Sequence, residues 1–168
     1  AAHRGEPVDG DHQRLLALGR AHPDLRQVPR VYREWAAWDP PGIARAQLER
    51  LIAACRERGA DGARRTLELV WLDLAGAQDP DAARHLARRL QREIGRGLLA
   101  GAYPPAAWWT LACVWRAAAR TEAAEVCAER ARRWIRRARL PGRSREERAR
   151  FESAGPVNRA VMARAADP

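Results

Sequence analysis

The sequence predicts an all-α chain of antiparallel helix pairs, and three observations carry that expectation. Strand signals are nearly absent: β-branched residues are thin, and no stretch alternates polar and apolar residues for long. Ala, Leu, Arg and Glu dominate, and these residues lose little rotamer freedom in a helix. Gly and Pro punctuate the chain at short intervals, and long helices joined by short loops pack as antiparallel neighbours.

Each element follows from that punctuation. Gly10-Asp11 precedes a short helix through Leu15, Leu16 and Leu18, which stops near Gly19 to Pro23. A second helix is expected from about Val28 to Trp38, broken by Asp39-Pro40-Pro41. The third, about Gly42 to Arg58, carries Ile43, Leu48, Leu51, Ile52 and Cys55 on one stripe and ends at Gly59. The fourth, about Asp61 to Ala75, spaces Leu67, Val70, Trp71 and Leu74 three and four apart. Asp79 should cap the fifth, with Pro80 at its first position and Gly95 and Gly97 at its end. Pro104-Pro105 opens the sixth; Thr121 is expected to cap the seventh, which Pro141-Gly142 stops. Two short helices close the chain, about Arg145 to Ser153 and Val157 to Ala165, with Gly155 and Pro156 between them.

A chain of 168 residues and 18.8 kDa can bury a core without metal or disulfide staples. Three cysteines (Cys55, Cys113, Cys127) are too few, and odd in number, for a disulfide scaffold. No stretch is long and apolar enough to cross a bilayer as a helix. The net charge is +10, and every basic residue is Arg, with no Lys at all. A G/C-rich genome produces that bias by itself; otherwise the planar fork of Arg suits phosphate or acidic-peptide partners. The chain begins Ala1-Ala2-His3 with no initiator Met and no signal-peptide pattern, and is expected to be a segment of a longer intracellular, cytoplasmic protein or a chain with its start missing.

The helices also repeat. Trp108, Leu111, Ala112 and Trp115, followed by Ala124, Ala128 and Ala131, carry the offsets of a tetratricopeptide (TPR) unit. Two helices approach to roughly 8–10 Å, and small side chains at the crossing permit the closest approach. The same offsets recover Val28, Val31, Tyr32 and Trp35 with Ala44, Leu48 and Leu51. They also recover Leu67, Val70, Trp71 and Leu74 with Ala83, Ala87 and Leu90. The spacing is near forty residues against the usual value of about 34, and Trp71 is too large for its position. The array is therefore read as degenerate, with a one-off helical bundle as the alternative.

The degenerate repeats, the helix Trp108-Trp109-Thr110-Leu111-Ala112, and the ending Arg148, Phe151, Pro156, Val157, Asn158, Arg159, Val161 together resemble the C-terminal TPR-like regions of large bacterial regulators. In that family the helical-repeat arm follows an ATPase, kinase or DNA-binding module. The chain departs from the family's closing phrase at Glu152, usually Leu, and at the polar Arg150. The expected organisation is a short helix and linker over 1–25, three TPR-like helix pairs over 26–140, and a capping pair over 141–168. The pairs should form a right-handed TPR-like superhelix. Phe151, Val157, Val161 and Met162 should cover its last repeat, because the open end of an array needs a cap. Asn158 and Arg159 should bond to helix ends nearby.

Enzyme signatures fail in turn. Ser occurs only at Ser144 and Ser153, neither in a nucleophile elbow, and without Lys there is no P-loop. His3, His12, His22 and His85 lack the spacing of a metal site. Cys113 and Cys127 fall on facing helices but read as small core residues. The Glu122/Glu125/Glu129 and Glu146/Glu147 clusters are interleaved with Arg and read as solvated ion pairs. No catalytic residue, metal or cofactor is expected.

Binding is the remaining function class. In the TPR register Trp109 faces the concave groove, with Arg26, Arg33, Arg65 and Arg116 at groove positions of their own repeats. Such a groove suits an acidic protein or peptide partner through forked hydrogen bonds and stacking. A second basic run, Arg130 to Arg150, sets ten Arg against Glu146 and Glu147 and places Arg132, Arg133, Arg136 and Arg137 where they could track phosphates. The expectation is a non-catalytic protein-interaction or sensor module; an Arg-rich helical nucleic-acid-binding protein is the alternative.

Overall fold

A computed structural model describes residues 41–97, 103–138 and 144–163. All are helix or short connection, with no strand among them. The helices are α1 (Pro41–Glu57), α2 (Asp61–Ala75), α3 (Pro80–Gly95), α4 (Pro104–Ala117), α5 (Thr121–Arg137), α6 (Arg145–Ser153) and α7 (Gly155–Ala163). The expected helices before residue 41 and the Pro141-Gly142 stop lie outside the described residues.

Local chemistry explains the boundaries. Asp79 accepts from the Ala82 amide at 3.1 Å and Pro80 opens α3, so an orphan donor is satisfied where the helix begins. Ser144 and Glu147 close a capping box on α6. After α1 the chain turns through Gly59 at φ +64°, with the Ala60 amide bonded to the Cys55 carbonyl at 2.8 Å and the Gly59 amide to Arg56 at 3.1 Å. That is a Schellman stop, which glycine enters without steric cost. The α4–α5 turn repeats the same bonds, from Arg120 to Trp115 and from Ala119 to Arg116, but with Ala119 at φ +54°.

Two expected boundaries shift. Thr121 is the first residue of α5 and caps nothing; Arg120 holds the cap position without a side-chain bond. Gly155 and Pro156 do not separate the last helices. Gly155 (φ +76°) begins α7 itself, with Pro156 inside its first turn where no amide donor is needed.

Packing follows the apolar stripes. Leu48, Ile52 and Cys55 of α1 meet Leu67, Val70 and Trp71 of α2, and all are buried. Trp71 finds room because its indole is turned toward α1, where Nε1 donates to Glu49 at 3.1 Å and Arg45 lies over the ring at 5.5 Å. The closest pair is α4–α5, in which Trp108, Leu111, Ala112 and Trp115 lie against Ala124, Cys127, Ala128 and Ala131. Ala112, Ala124, Ala128 and Ala131 are buried, as close crossing requires. α4 also touches α2 and α3, which makes it the central helix of the described residues.

The closing pair sits on the end of this stack. Val161 is fully buried, Phe151, Val157 and Met162 pack partly buried against the core, and α7 meets both α4 and α5. Asn158 fastens it: Nδ2 donates to the Phe151 carbonyl at 2.9 Å, and Oδ1 accepts from the Tyr103 hydroxyl at 2.7 Å. Arg159 Nη1 donates to the Ser153 carbonyl at 3.2 Å. Both residues thus satisfy carbonyls that the end of α6 leaves open.

Candidate functional site

Two places gather polar chemistry. The first lies where α1, α2 and α3 meet. Glu68 is only 1% exposed and takes three guanidinium groups, from Arg56 at 3.1 Å, Arg64 at 2.8 Å and Arg89 at 2.6 Å. Glu93 takes Arg64 at 3.0 Å and Arg65 at 2.6 Å. Asp61 holds Arg64 at 3.0 Å from the first turn of α2. Burial opposes the charge on Arg64, but Glu68, Asp61 and Glu93 outweigh it and raise its pKa. For Glu93 burial again pushes against ionisation, and the bonds from Arg65 and Arg64 hold its carboxyl below the ordinary carboxylate range. These charges are mutually satisfied, so the cluster ties three helices together and offers no vacant donor set.

The second place is the outward strip of α4. Ala106, Trp109, Cys113, Arg116 and Ala117 recur three and four apart and are all at least partly exposed. Arg116 lies over the Trp109 ring at 4.9 Å, and its Nη1 is buried with no hydrogen-bond partner among the described residues. Thr110, beside this strip, donates to Asp73 of α2 at 2.7 Å and joins the two helices.

The expected site residues therefore separate. Trp109 and Arg116 come together on α4. Arg65 is not available beside them: its side chain is 11% exposed and committed to Glu93. Arg26 and Arg33 lie outside the described residues. Of the second set, Arg133, Arg136 and Arg137 are exposed on α5, but Arg132 is 8% exposed and spans Glu125 at 2.5 Å and Glu129 at 2.9 Å. Those contacts remove Arg132 from any phosphate surface. Sequence reasoning missed the Glu68 cluster altogether, because the four-residue Arg64/Glu68 and Arg89/Glu93 spacings look like ordinary surface pairs.

Cys113 and Cys127 are not bonded to each other. Cys113 is exposed on α4, whereas Cys127 is buried in α5, and burial pushes its thiol up to about 11. No group of three or more His, Cys, Asp or Glu placed to hold a metal occurs among the described residues. None of the described helices is long and apolar enough to cross a membrane. The fold of the described residues is all-helical. Comparisons with protein-family models, with curated proteins and with solved structures found no match.

Proposed function

We propose that this chain is a non-catalytic helical-repeat module for protein interaction or sensing, TPR-like in arrangement, within a larger cytoplasmic bacterial regulator. Its partner is an acidic peptide or protein segment, held along the outward strip of α4. The stacking of α4 on α2, α3 and α5 supports the repeat reading, because solenoid helices touch chiefly their neighbours in the array.

The observation that carries the binding reading is the Trp109–Arg116 stack. The indole holds the guanidinium in one orientation at 4.9 Å, which lowers the entropy lost when a carboxylate bonds to it. Arg116 is partly exposed on this strip, and a carboxylate accepts two parallel bonds from one guanidinium. The strip also gives the partner an aromatic anchor beside the charge, the combination found at interface hot spots.

Titration with an Asp/Glu-rich peptide, read by indole resonances, tests this. Arg116→Ala and Trp109→Ala should each weaken binding about fivefold or more with unchanged helical content, since anchor residues commonly cost above about 1 kcal/mol. Equal affinity of both variants and the wild-type chain would refute the reading.

A further inference from the structure

A second surface, on α3 and α5, carries arginines of a different kind. Arg88 and Arg92 of α3 and Arg96 at its C-terminal cap follow one another every four residues and are all exposed. On α5, Arg130, Arg133 and Arg137 follow at three and four residues and are exposed as well. None of the six makes an ion pair with another of the described residues, although acidic side chains are plentiful nearby in sequence. The two rows meet at Gly95. A side-chain carbon added there would lie 3.2 Å from Arg130 Nη1, and Arg130 itself lies over the Trp108 ring at 4.6 Å. The end of the α3 row and the beginning of the α5 row are thus in contact, and the absence of a side chain at Gly95 gives the guanidinium its place.

We infer that these two rows form one basic ridge that binds the phosphate backbone of double-stranded nucleic acid without reading its sequence. Each row spans roughly 10–12 Å at 1.5 Å per residue, so three guanidinium groups face several phosphates of a duplex carrying one charge per about 1.7 Å of axis. On α3 the ridge carries no exposed large apolar side chain, its other members there including His85 and Gly95; on α5 the exposed Val126 precedes the row and Trp134 borders it. A folded protein partner would want a buried aromatic or aliphatic centre, and a polyanion does not. Single strands would want splayed aromatic platforms. Trp134 of α5 and Tyr103, the large aromatics exposed among the described residues, are instead locked edge-to-face at 5.3 Å, with Tyr103 tied to Asn158. The ridge is separate from the α4 strip and does not depend on it.

Fluorescence anisotropy of the whole chain with two unrelated duplexes, each of about 24 base pairs, over about 50 to 200 mM salt tests the inference. Both duplexes should bind alike, with a slope of log affinity against log salt no steeper than about −5, the value for six neutralised phosphates. Arg88→Gln/Arg92→Gln/Arg96→Gln and Arg133→Gln/Arg137→Gln should each weaken binding at least tenfold. They should make the slope shallower by about one per arginine removed. Arg130 is left in place because it covers Trp108. The control is Arg145→Gln/Arg148→Gln/Arg150→Gln on α6, which removes the same charge from a helix that also carries Glu146, Glu147 and Glu152; it should change affinity less than twofold. Equal weakening by the control would reduce the effect to net charge and overturn the ridge. So would no binding at the lowest salt, or a Glu-rich peptide that displaces the duplex and binds the rows more tightly.

Discussion

Arg64 and Arg92 lie on consecutive helices, yet they live in opposite electrostatic worlds. Arg64 is 7% exposed and bonded to Asp61, Glu68 and Glu93; Arg92 is exposed and has no acidic partner among the described residues. The same contrast divides α3 along its length. Arg89 turns inward to Glu68, while Arg88, one residue earlier, points out. In an arginine-only chain the residue type cannot tell these roles apart. What separates them is whether a carboxylate from a neighbouring helix arrives at the same point. Where one does, the arginines hold helices together; where none does, a charged ridge is left available for an external anion.

The largest test of that division is at Glu68. Glu68→Ala leaves Arg64 buried and short of its main counter-charge and strips Arg56 and Arg89 as well. It should cost about 3–5 kcal/mol in urea denaturation, the usual penalty for breaking one side of a buried pair. A loss under 1 kcal/mol, on the order of a surface pair, would erase the contrast.

Acid probes the same cluster more gently. The Glu93 pKa is lowered in the folded chain, so its ionised form contributes stability that is fully present above the unfolded value near 4.3. That contribution should fade as pH drops below about 4 and through the lower folded value, and a Glu93→Gln chain should lack this part of the decline. Thermal melts of both chains across that range would show it.

Arg132 is the intermediate case, buried but paired with two half-exposed glutamates on its own helix and with Nε unbonded. Arg132→Met keeps the stem in place and should cost less than about 1 kcal/mol, because ion pairs open to water contribute little. A loss comparable with Glu68→Ala would move Arg132 into the inner class. The smallest effect belongs to the ridge: Arg88→Gln/Arg92→Gln/Arg96→Gln should leave stability within about 0.5 kcal/mol in the same denaturation experiment, since unpaired surface charges hold nothing together. A marked change in either direction would mean that the row has an unrecognised structural partner.

Most of the helix map was legible because Pro, Gly and capping residues act locally. Asp79-Pro80, Pro104-Pro105 and Gly59 mark helix ends by their own donors, ring or φ freedom, whatever surrounds them. The buried alanines of α5 were legible for a related reason, since small residues at helical spacing announce a close crossing before the partner is known. Thr121 misled because a hydroxyl residue is equally at home one position inside a helix, and Gly155-Pro156 because that dipeptide ends helices as readily as it begins them.

The sequence alone determined that the described residues are helical, where most of their helices begin and end, and which stripes face inward, since each depends on residues within a few positions. It also placed Trp109 and Arg116 on one helical face, because seven residues make two turns. Only the tertiary structure decided which arginines are spent. Glu93 reaches Arg65 across 28 positions, and Arg130 meets Gly95 across 35. Such meetings are set by how whole helices dock, and no local spacing encodes them.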